Sequence, residues 1–435
     1  VENFSVGSSV SYADSDYGTT VTISPTSSLD QNTAYAISYP SGAFTSLSGD
    51  VSYVGTAYTF KSILQEYTIW SWGSNAYGGL GLNDKTRRSS PTQIPGITWA
   101  SIGNFNGNNQ DSYVQLGRKS DGTLWGWGGN QYGMLGQNDR TQRSSPVQVP
   151  GTTWTDAIGW QNSSARAVKT DGTMWVWGNN AGGQLGLNGP QVGDQYGRSS
   201  PTQIPGTTWS TGAGKNTMGG SGVHMAIKTD GTMWAWGYNT NGELGQNSNV
   251  NYSSPVQIPG TTWNTVCTDG DSCAATKTDG TAWTWGLNEY GQLGHNQSEN
   301  QLYRSSSPTQ VPGTTWTNIN SGNNKRYGFK TDGTMWGWGV NSYLESPQTP
   351  DHRSSPTQIP GTTWKAFGYA SVQDNGNIFV KTDGTMWVWG WQGNYGQLGQ
   401  NSLATLDSPT QIPGTTWNNV KVAGHVVIGQ QLLEE

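Results

Sequence analysis

The chain has 435 residues, enough for two or three average domains or for one large β architecture with a single core. Only 32% of it is hydrophobic and 11% charged, while 62 glycines, about twice ordinary usage, and 23 tryptophans point to turn-rich β structure. A net charge of −6 with singly scattered basic residues argues against a nucleic-acid stripe or an anionic-membrane anchor; no apolar run is long enough for a membrane helix, and four histidines leave little for a metal cluster.

Residues 1–62 contain no Trp and no repeat motif. Their Ser/Thr/Tyr-rich alternation, as in Thr33-Ala34-Tyr35-Ala36-Ile37-Ser38-Tyr39, predicts short strands. The run from Val21-Thr22-Ile23-Ser24-Pro25 through Thr33-Ala34-Tyr35-Ala36-Ile37 to Leu47-Ser48-Gly49-Asp50 resembles the C-terminal half of a bacterial Ig-like domain, of the kind found in surface-layer and adhesive proteins. That resemblance implies a partial β-sandwich whose first strands lie upstream. A start at Val1 without an initiator Met or a visible signal peptide fits the same expectation of a processed product or a fragment.

Residues 63–435 are repetitive. W-x-W-G begins at Trp70, Trp125, Trp175, Trp234, Trp283, Trp336 and Trp387, and S-P-x-Q-[IV]-P follows each in phase. A T-W pair then ends at Trp99, Trp154, Trp209, Trp263, Trp316, Trp364 and Trp417. Six repeats carry K-[ST]-D-G-T before W-x-W-G, a hairpin signal that predicts a type I′ turn with positive φ at both Asp and Gly. Each unit thus reads as four short strands, and seven such units fit a propeller, in which neighbouring blades cover both faces of every sheet. After Trp417 the chain supplies only a first half-repeat, in 418–430, whereas 67–96 supplies only a second half. The two halves are expected to pair, with strands in 420–428 beside 68–72, closing the ring and removing exposed sheet edges.

The unit from Trp154 to Gly186, with Lys169-Thr170-Asp171-Gly172-Thr173 and Gly183-Gln184-Leu185-Gly186, resembles the repeat of the regulator of chromosome condensation family of seven-bladed propellers. The resemblance covers about residues 64 to 430. It departs from the family where the G-x-x-H histidine survives only at His224 and His425, and where the sixth repeat replaces G-Q-L-G by Tyr343-Leu344-Glu345-Ser346-Pro347. It implies guanine-nucleotide exchange on a GTPase as one function to weigh.

The recurring Asp121, Asp171, Asp230, Asp279, Asp332 and Asp383 sit one per blade at the same turn, so turn chemistry accounts for them better than acid/base catalysis. The Lys before each turn reads as a solvated or turn-pairing charge. Arg88, Arg143, Arg198, Arg304 and Arg353 precede the S-S-P runs and read as interblade hydrogen-bond donors. No phosphate loop, nucleophile elbow or zincin motif is present, and neither a metal nor a cofactor is expected. Asp269-Gly270-Asp271 reads as a turn rather than a calcium loop. Around it, Cys267 and Cys273 face each other if the turn holds three residues; a disulfide and two small buried thiols are both open, and the disulfide would imply an oxidising compartment.

Variation among repeats is confined to one side of the ring, in the segments between W-x-W-G and S-P: an insertion at 189–197, a longer stretch at 298–303 and the lost G-Q-L-G. Trp160 and Trp391, the two tryptophans outside the three motifs, fall on that side with Tyr196, Tyr303, Tyr343, Tyr395 and His352. Aromatic loops on a rigid scaffold suit recognition, so these seven are the candidate binding residues. The leading expectation is an extracellular, non-enzymatic interaction protein, a cell-surface adhesin or a virion fibre or decoration. Its partners would be a surface protein or glycan receptor and a larger extracellular assembly, with no nucleic acid and no membrane insertion. The alternatives are a guanine-nucleotide exchange factor-like regulator, as the family resemblance implies, and a glycan-acting enzyme, which would need a pair of close carboxylates.

Overall fold

The structure is a computed structural model that describes residues 10–15, 18–23, 34–37, 58–61, 67–105, 114–161, 163–189, 197–211, 215–218, 222–297, 302–322, 324–340, 352–359, 361–371, 377–390, 398–402, 404, 406–423 and 426–432. The chain divides into two compact units, Val1–Gln65 and Glu66–Glu435. In the first, Val10–Ser15 pairs antiparallel with Gly18–Ile23, and Ala34–Ile37 with Tyr58–Lys61.

The second unit is a seven-bladed propeller. Its fourth blade shows the pattern: Trp263–Thr268, Ser272–Lys277, Ala282–Leu287 and Arg304–Val311 pair in sequence order as an antiparallel meander. Numbering blades from Trp99, blades 1 to 6 are contiguous in sequence, and blade 7 is composite. Its strands Trp417–Ala423 and Val426–Leu432 come from the end of the chain, while Tyr67–Gly73 and Arg88–Gln93 come from the start. Seven residue pairs from Val426↔Gly73 to Leu432↔Tyr67 join the halves, as the complementary half-repeats predict. The first strands of successive blades lie against one another from blade 2 to blade 7, which puts them innermost; the fourth strands are only half-buried, hence outermost.

Each repeated residue has a physical task. The second Trp of W-x-W-G is buried in every blade, and in blades 1 to 5 it donates its indole N–H to a carbonyl of the preceding blade's G-x-L-G loop, for example Trp177 to Met134 at 2.6 Å and Trp338 to Gln292 at 3.0 Å. The loop must come close to do this: a Cβ on Gly294, whose φ is +72°, would lie 2.8 Å from Trp338 Nε1. The loop ends on an Asn at positive φ whose N–H bonds a serine carbonyl of the next blade's S-S-P strand, as in Asn138 to Ser199 and Asn247 to Ser306, both 2.8 Å. Sequence motifs of one repeat are thus docking surfaces for the next.

Two expectations need correcting. The Asp-Gly hairpin is not type I′: only its glycine has positive φ (Gly172, +76°), Gly172 N–H bonds the Lys169 carbonyl, and Lys169 N–H bonds the Thr173 carbonyl. This is the three-residue loop with a Gly bulge. Asp171 stays out of the left-handed region because its carboxylate accepts from Thr173 N at 2.9 Å and Thr173 Oγ1 at 2.6 Å. Secondly, Cys267 and Cys273 are free and buried. Cys267 pairs with Ala274 and Thr268 with Cys273, so the loop holds four residues rather than three. Side chains alternate along a strand, and this one-residue slip sends the two thiols to opposite faces of the sheet, Cys273 into the core shared with blade 3 and Cys267 into the core shared with blade 5.

Candidate functional site

On the face that carries the Asp-Gly turns, each turn lysine lies between two tryptophans. Lys119 lies 5.5 and 4.1 Å from the rings of Trp99 and Trp125, and Lys277 lies 4.7 and 4.4 Å from those of Trp263 and Trp283. The same clamp recurs at Lys169, Lys228, Lys330 and Lys381. The lysines are therefore not merely solvated charges: the negative π faces of two indoles hold each ammonium. The first Trp of the motif is fixed in turn by its own indole N–H, which Trp175 donates to Thr173 Oγ1 at 3.0 Å. Thr173 bonds hold the Asp171 pKa below its ordinary value, with the nearby Lys169 charge adding to the effect, so the turn aspartates are tied-down anions and not proton carriers.

The opposite face carries the first-to-second and third-to-fourth strand connections. Of the seven candidates, Tyr303 and His352 are described and exposed, each just ahead of a fourth strand; His352 stands edge-on to Tyr290 of the preceding blade at 4.9 Å. Trp160 contributes backbone to strand Trp154–Gln161, paired with Ala165 at the end of blade 2 that turns onto this face. Trp391, Tyr196, Tyr343 and Tyr395 lie outside the described residues. The recurring arginines serve local loop geometry more than blade contacts: Arg88 and Arg143 pair with Asp84 and Asp139 four residues earlier, at 2.7 and 2.8 Å, while Arg304 does reach the Thr240 carbonyl of the blade before.

Beneath this face lies a layer of buried polar groups that sequence reading missed. Arg326 is fully buried and meets Asp269 of blade 4 at 2.6 Å and Ser272 Oγ at 2.5 Å. Burial alone would lower its pKa, and the carboxylate more than reverses this. Arg166 donates to the Met225 carbonyl across the blade 2–3 junction at 3.0 Å, beside a contact of 3.2 Å between Ser164 and His224; burial, with the Arg166 charge nearby, holds His224 neutral. Tyr327 donates to Asn377 across the blade 5–6 junction. Lys325 is buried, its Nζ has no hydrogen-bond partner among the described residues, and burial pushes its pKa down to about 7. Glu243 is pushed up to about 7, again by burial. One signal was available: Lys325-Arg326 places charges at successive positions of a strand whose two faces must both be buried.

These features define a closed seven-bladed propeller built from interlocking tryptophan repeats. The chain belongs to the regulator of chromosome condensation (RCC1) repeat family, whose model matches residues 68–104, 121–158, 171–211, 230–268, 279–324 and 383–431. The unmatched stretch between the last two segments contains the repeat that loses G-Q-L-G. The family match begins at residue 68 and gives no support to the Ig-like reading of residues 1–62. The chain is similar to the ultraviolet-B receptor UVR8 of Arabidopsis thaliana, 26% identical over 201 residues, which cover 45% of this chain and 43% of the receptor. The mitochondrial RCC1 domain-containing protein RUG3 of the same plant matches at 26% over 201 residues, 44% of this chain and 42% of RUG3. The chain therefore spans less than half the length of these relatives in the match. Among solved structures, yeast RCC1 (Prp20) bound to Kap60 superposes with TM-score 0.72 at 17% identity over 86% of this chain and 90% of that one. Human WBSCR16 gives 0.71 at 18% over 84% and 99%.

The comparisons overturn the extracellular expectation. The relatives are a light receptor, a mitochondrial protein and a yeast protein bound to Kap60, not adhesins or virion fibres, and a surface protein or glycan receptor as partner falls with that reading. The physical supports have also given way: the thiols that would have marked an oxidising compartment cannot meet across the sheet.

Proposed function

We propose that this chain is a non-catalytic, intracellular regulator that binds a protein partner on its loop face, through Tyr303 and His352, with Trp160, Trp391, Tyr196, Tyr343 and Tyr395 as further candidates. One observation carries the reading. Folding accounts for the repeat-invariant residues of the turn face and of the blade junctions, whereas exposed aromatic residues that match no repeat position stand on the opposite face, with Tyr303 54% exposed. Aromatic side chains on a rigid frame supply binding surface at low entropic cost. A yeast relative's structure was determined together with its binding properties to Gsp1p and histones, which supports a protein partner and makes guanine-nucleotide exchange on a GTPase the first specific activity to assay.

The test uses a photo-crosslinking amino acid at position 303 or 352, with positions 171 and 279 on the turn face as controls. Capture of one protein species from the loop-face positions and none from the controls is expected. Capture only from the turn face, with the fold intact by circular dichroism, overturns the assignment. If the captured partner is a GTPase, release of a fluorescent guanine nucleotide from it should accelerate on adding the chain; an unchanged rate removes the exchange reading and leaves the binding reading standing.

A further inference from the structure

The seven blades share the tryptophan pair of the turn-face clamp, but among the described residues six supply its cation. In blades 1, 2, 4, 5 and 6 the T-W tryptophan pairs in register with the lysine: Trp99↔Lys119, Trp154↔Lys169, Trp263↔Lys277, Trp316↔Lys330 and Trp364↔Lys381. In blade 3 the same pairing is the bridge Trp209↔Lys228. In composite blade 7 the register position opposite Trp417 is Gln431. The second indole of the clamp is present there too: Trp70 donates to Thr68 Oγ1 at 3.0 Å, as Trp125 does to Thr123 and Trp175 to Thr173.

The amide of Gln431 reaches toward the place that the ammonium takes elsewhere. A Cβ on Gly414 would lie 3.1 Å from Gln431 Nε2, just as one on Gly151 would lie 3.6 Å from Lys169 Nζ. The glutamine side chain is shorter than lysine and carries no charge, so among the described residues no cation lies over the π faces of Trp70 and Trp417. Trp70 and Gln431 are half-buried. A groove of about 400 Å³ between blades 6 and 7 is lined by Trp70, Trp417, Gln431, Pro91, Pro413 and Asn401, among others. The corresponding groove between blades 3 and 4, about 440 Å³, is lined by Trp263, Trp283, Pro259, Pro308 and Asn247, with Lys277 in the place of the glutamine.

We propose that the groove between blades 6 and 7 is a lysine-binding site, in which a lysine side chain from an exposed segment of a partner protein enters between Trp70 and Trp417 and takes the place filled by the chain's own lysine in the other six blades. Those six clamps show that this pair of rings accepts a primary ammonium at 4.1 to 5.5 Å. The net charge of −6 favours approach of a cationic segment, and the flanking prolines and the Asn401 amide offer apolar and polar contact to its backbone. The site lies at the turn face and rim, apart from the loop face, and stands independently of the function proposed above.

The experiment labels the full chain with 5-fluorotryptophan and assigns the Trp70 resonance through Trp70→Phe. The probe is an acetylated, amidated pentapeptide with one central lysine, compared with the same peptide bearing norleucine. The lysine peptide should shift the Trp70 resonance saturably, and the norleucine peptide should bind about tenfold more weakly, the loss expected for one partly desolvated cation–π contact. Gln431→Lys, which completes the clamp within the chain, should abolish the response. Gln431→Met, neutral and unbranched, should retain it, which separates occupancy of the clamp from damage to the fold. Equal binding of the norleucine peptide, a response spread over the lysine-filled blades, persistence in Gln431→Lys, or no response in the unaltered chain would each overturn the site.

Discussion

Six blades of this propeller are hairpin meanders of contiguous chain, and the seventh is sewn from the two ends. The difference shows which repeat features belong to the blade and which to its hairpin. The buried tryptophan, the S-S-P strand and the loop Asn are present in both kinds: Trp72 and Trp417 meet edge-on at 6.4 Å, much as Trp154 and Trp177 meet at 6.3 Å. What the composite blade lacks is the Lys-Thr-Asp-Gly-Thr turn and its clamped ammonium, because its second and third strands are not joined. Hydrogen bonds between Val426–Leu432 and Tyr67–Gly73 replace a covalent connection.

The largest expected effect follows from that replacement. Deleting 418–435 removes two strands with buried Val420, Val427 and Ile428, and leaves the Tyr67–Gly73 edge unpaired. The truncated chain should aggregate or lose its cooperative melt. A circular permutant of residues 67–432, in which the register partners Tyr67 and Leu432 are joined by a short linker and new termini are opened at the Asp121-Gly122 turn, should fold and stay monomeric, since it only moves the composite blade. A truncated chain that melts as before, by calorimetry and light scattering, would show that the clasp does not hold the ring.

Next in size is the buried pair between contiguous blades 4 and 5. Asp269→Ala leaves Arg326 charged, fully buried and without its carboxylate, and should cost about 3–5 kcal/mol in urea unfolding. The composite blade has no equivalent, because Val427 occupies the place of Arg326 there, so Val427→Ala should cost less, about 1–3 kcal/mol for a buried branched side chain. Equal losses at both places would mean that the pair adds nothing beyond packing.

Much of this fold could be read from the chain. W-x-W-G and T-W fixed the number of blades, and the unmatched half-repeats at 67–96 and 418–430 fixed how the ring closes. Features that depend on a single residue of register, or on a neighbouring blade, could not be read. Placing Cys267 opposite Ala274 rather than Cys273 required knowing that the loop around Gly270 holds four residues, stabilised by Asp269 accepting from Ser272 N at 3.0 Å. The lysine clamps need the T-W tryptophan and the turn lysine to pair across strands, a contact between residues at least 14 positions apart in sequence. For the candidate site, Tyr303 and His352 stand exposed, and the buried ionic layer beneath that face follows from blade-to-blade contacts that a repeat motif does not display.

A third effect depends on pH. In the G-x-L-G loops, Gln184 and Gln292 accept from the N–H groups of Gly182 and Tyr290, both at 2.7 Å, and Glu243 does the same for Asn241 at 2.8 Å. Burial raises the Glu243 pKa to about 7 from an ordinary 4.5, with the nearby Asp271 charge adding to the effect. A carboxyl raised on folding leaves stability intact below pH 4.5 and lowers it progressively up to pH 7, where the folded form also ionises. Glu243→Gln should therefore match the parent at acid pH and exceed it above pH 7, by on the order of 3 kcal/mol at most. A constant difference across the pH range, in melts from pH 4 to 8, would locate the effect elsewhere.

The smallest effect sharpens the comparison where blades join. Thr153, Thr208, Thr262, Thr315 and Thr363, each just before a T-W tryptophan, have φ between 66 and 69°. A β-branched residue is a steric outlier in that region, and the five positions are the five junctions between contiguous blades. Thr98 and Thr416, which flank the composite blade, are not in this group. The backbone is held there by the previous hairpin: Trp209 N–H bonds the Gly172 carbonyl at 3.1 Å, and a Cβ on Gly172 would lie 3.0 Å from Thr208 N. Asn tolerates the left-handed region better than Thr because it is unbranched at Cβ and its amide bonds locally. Thr208→Asn should therefore stabilise the chain by about 0.5–1 kcal/mol, while Thr416→Asn should gain nothing, since no such strain is present to relieve. The two variants differ only in which kind of junction they occupy. Equal melting shifts would mean that the left-handed threonines cost nothing, and that the composite blade differs from the others only in its connection and its missing lysine.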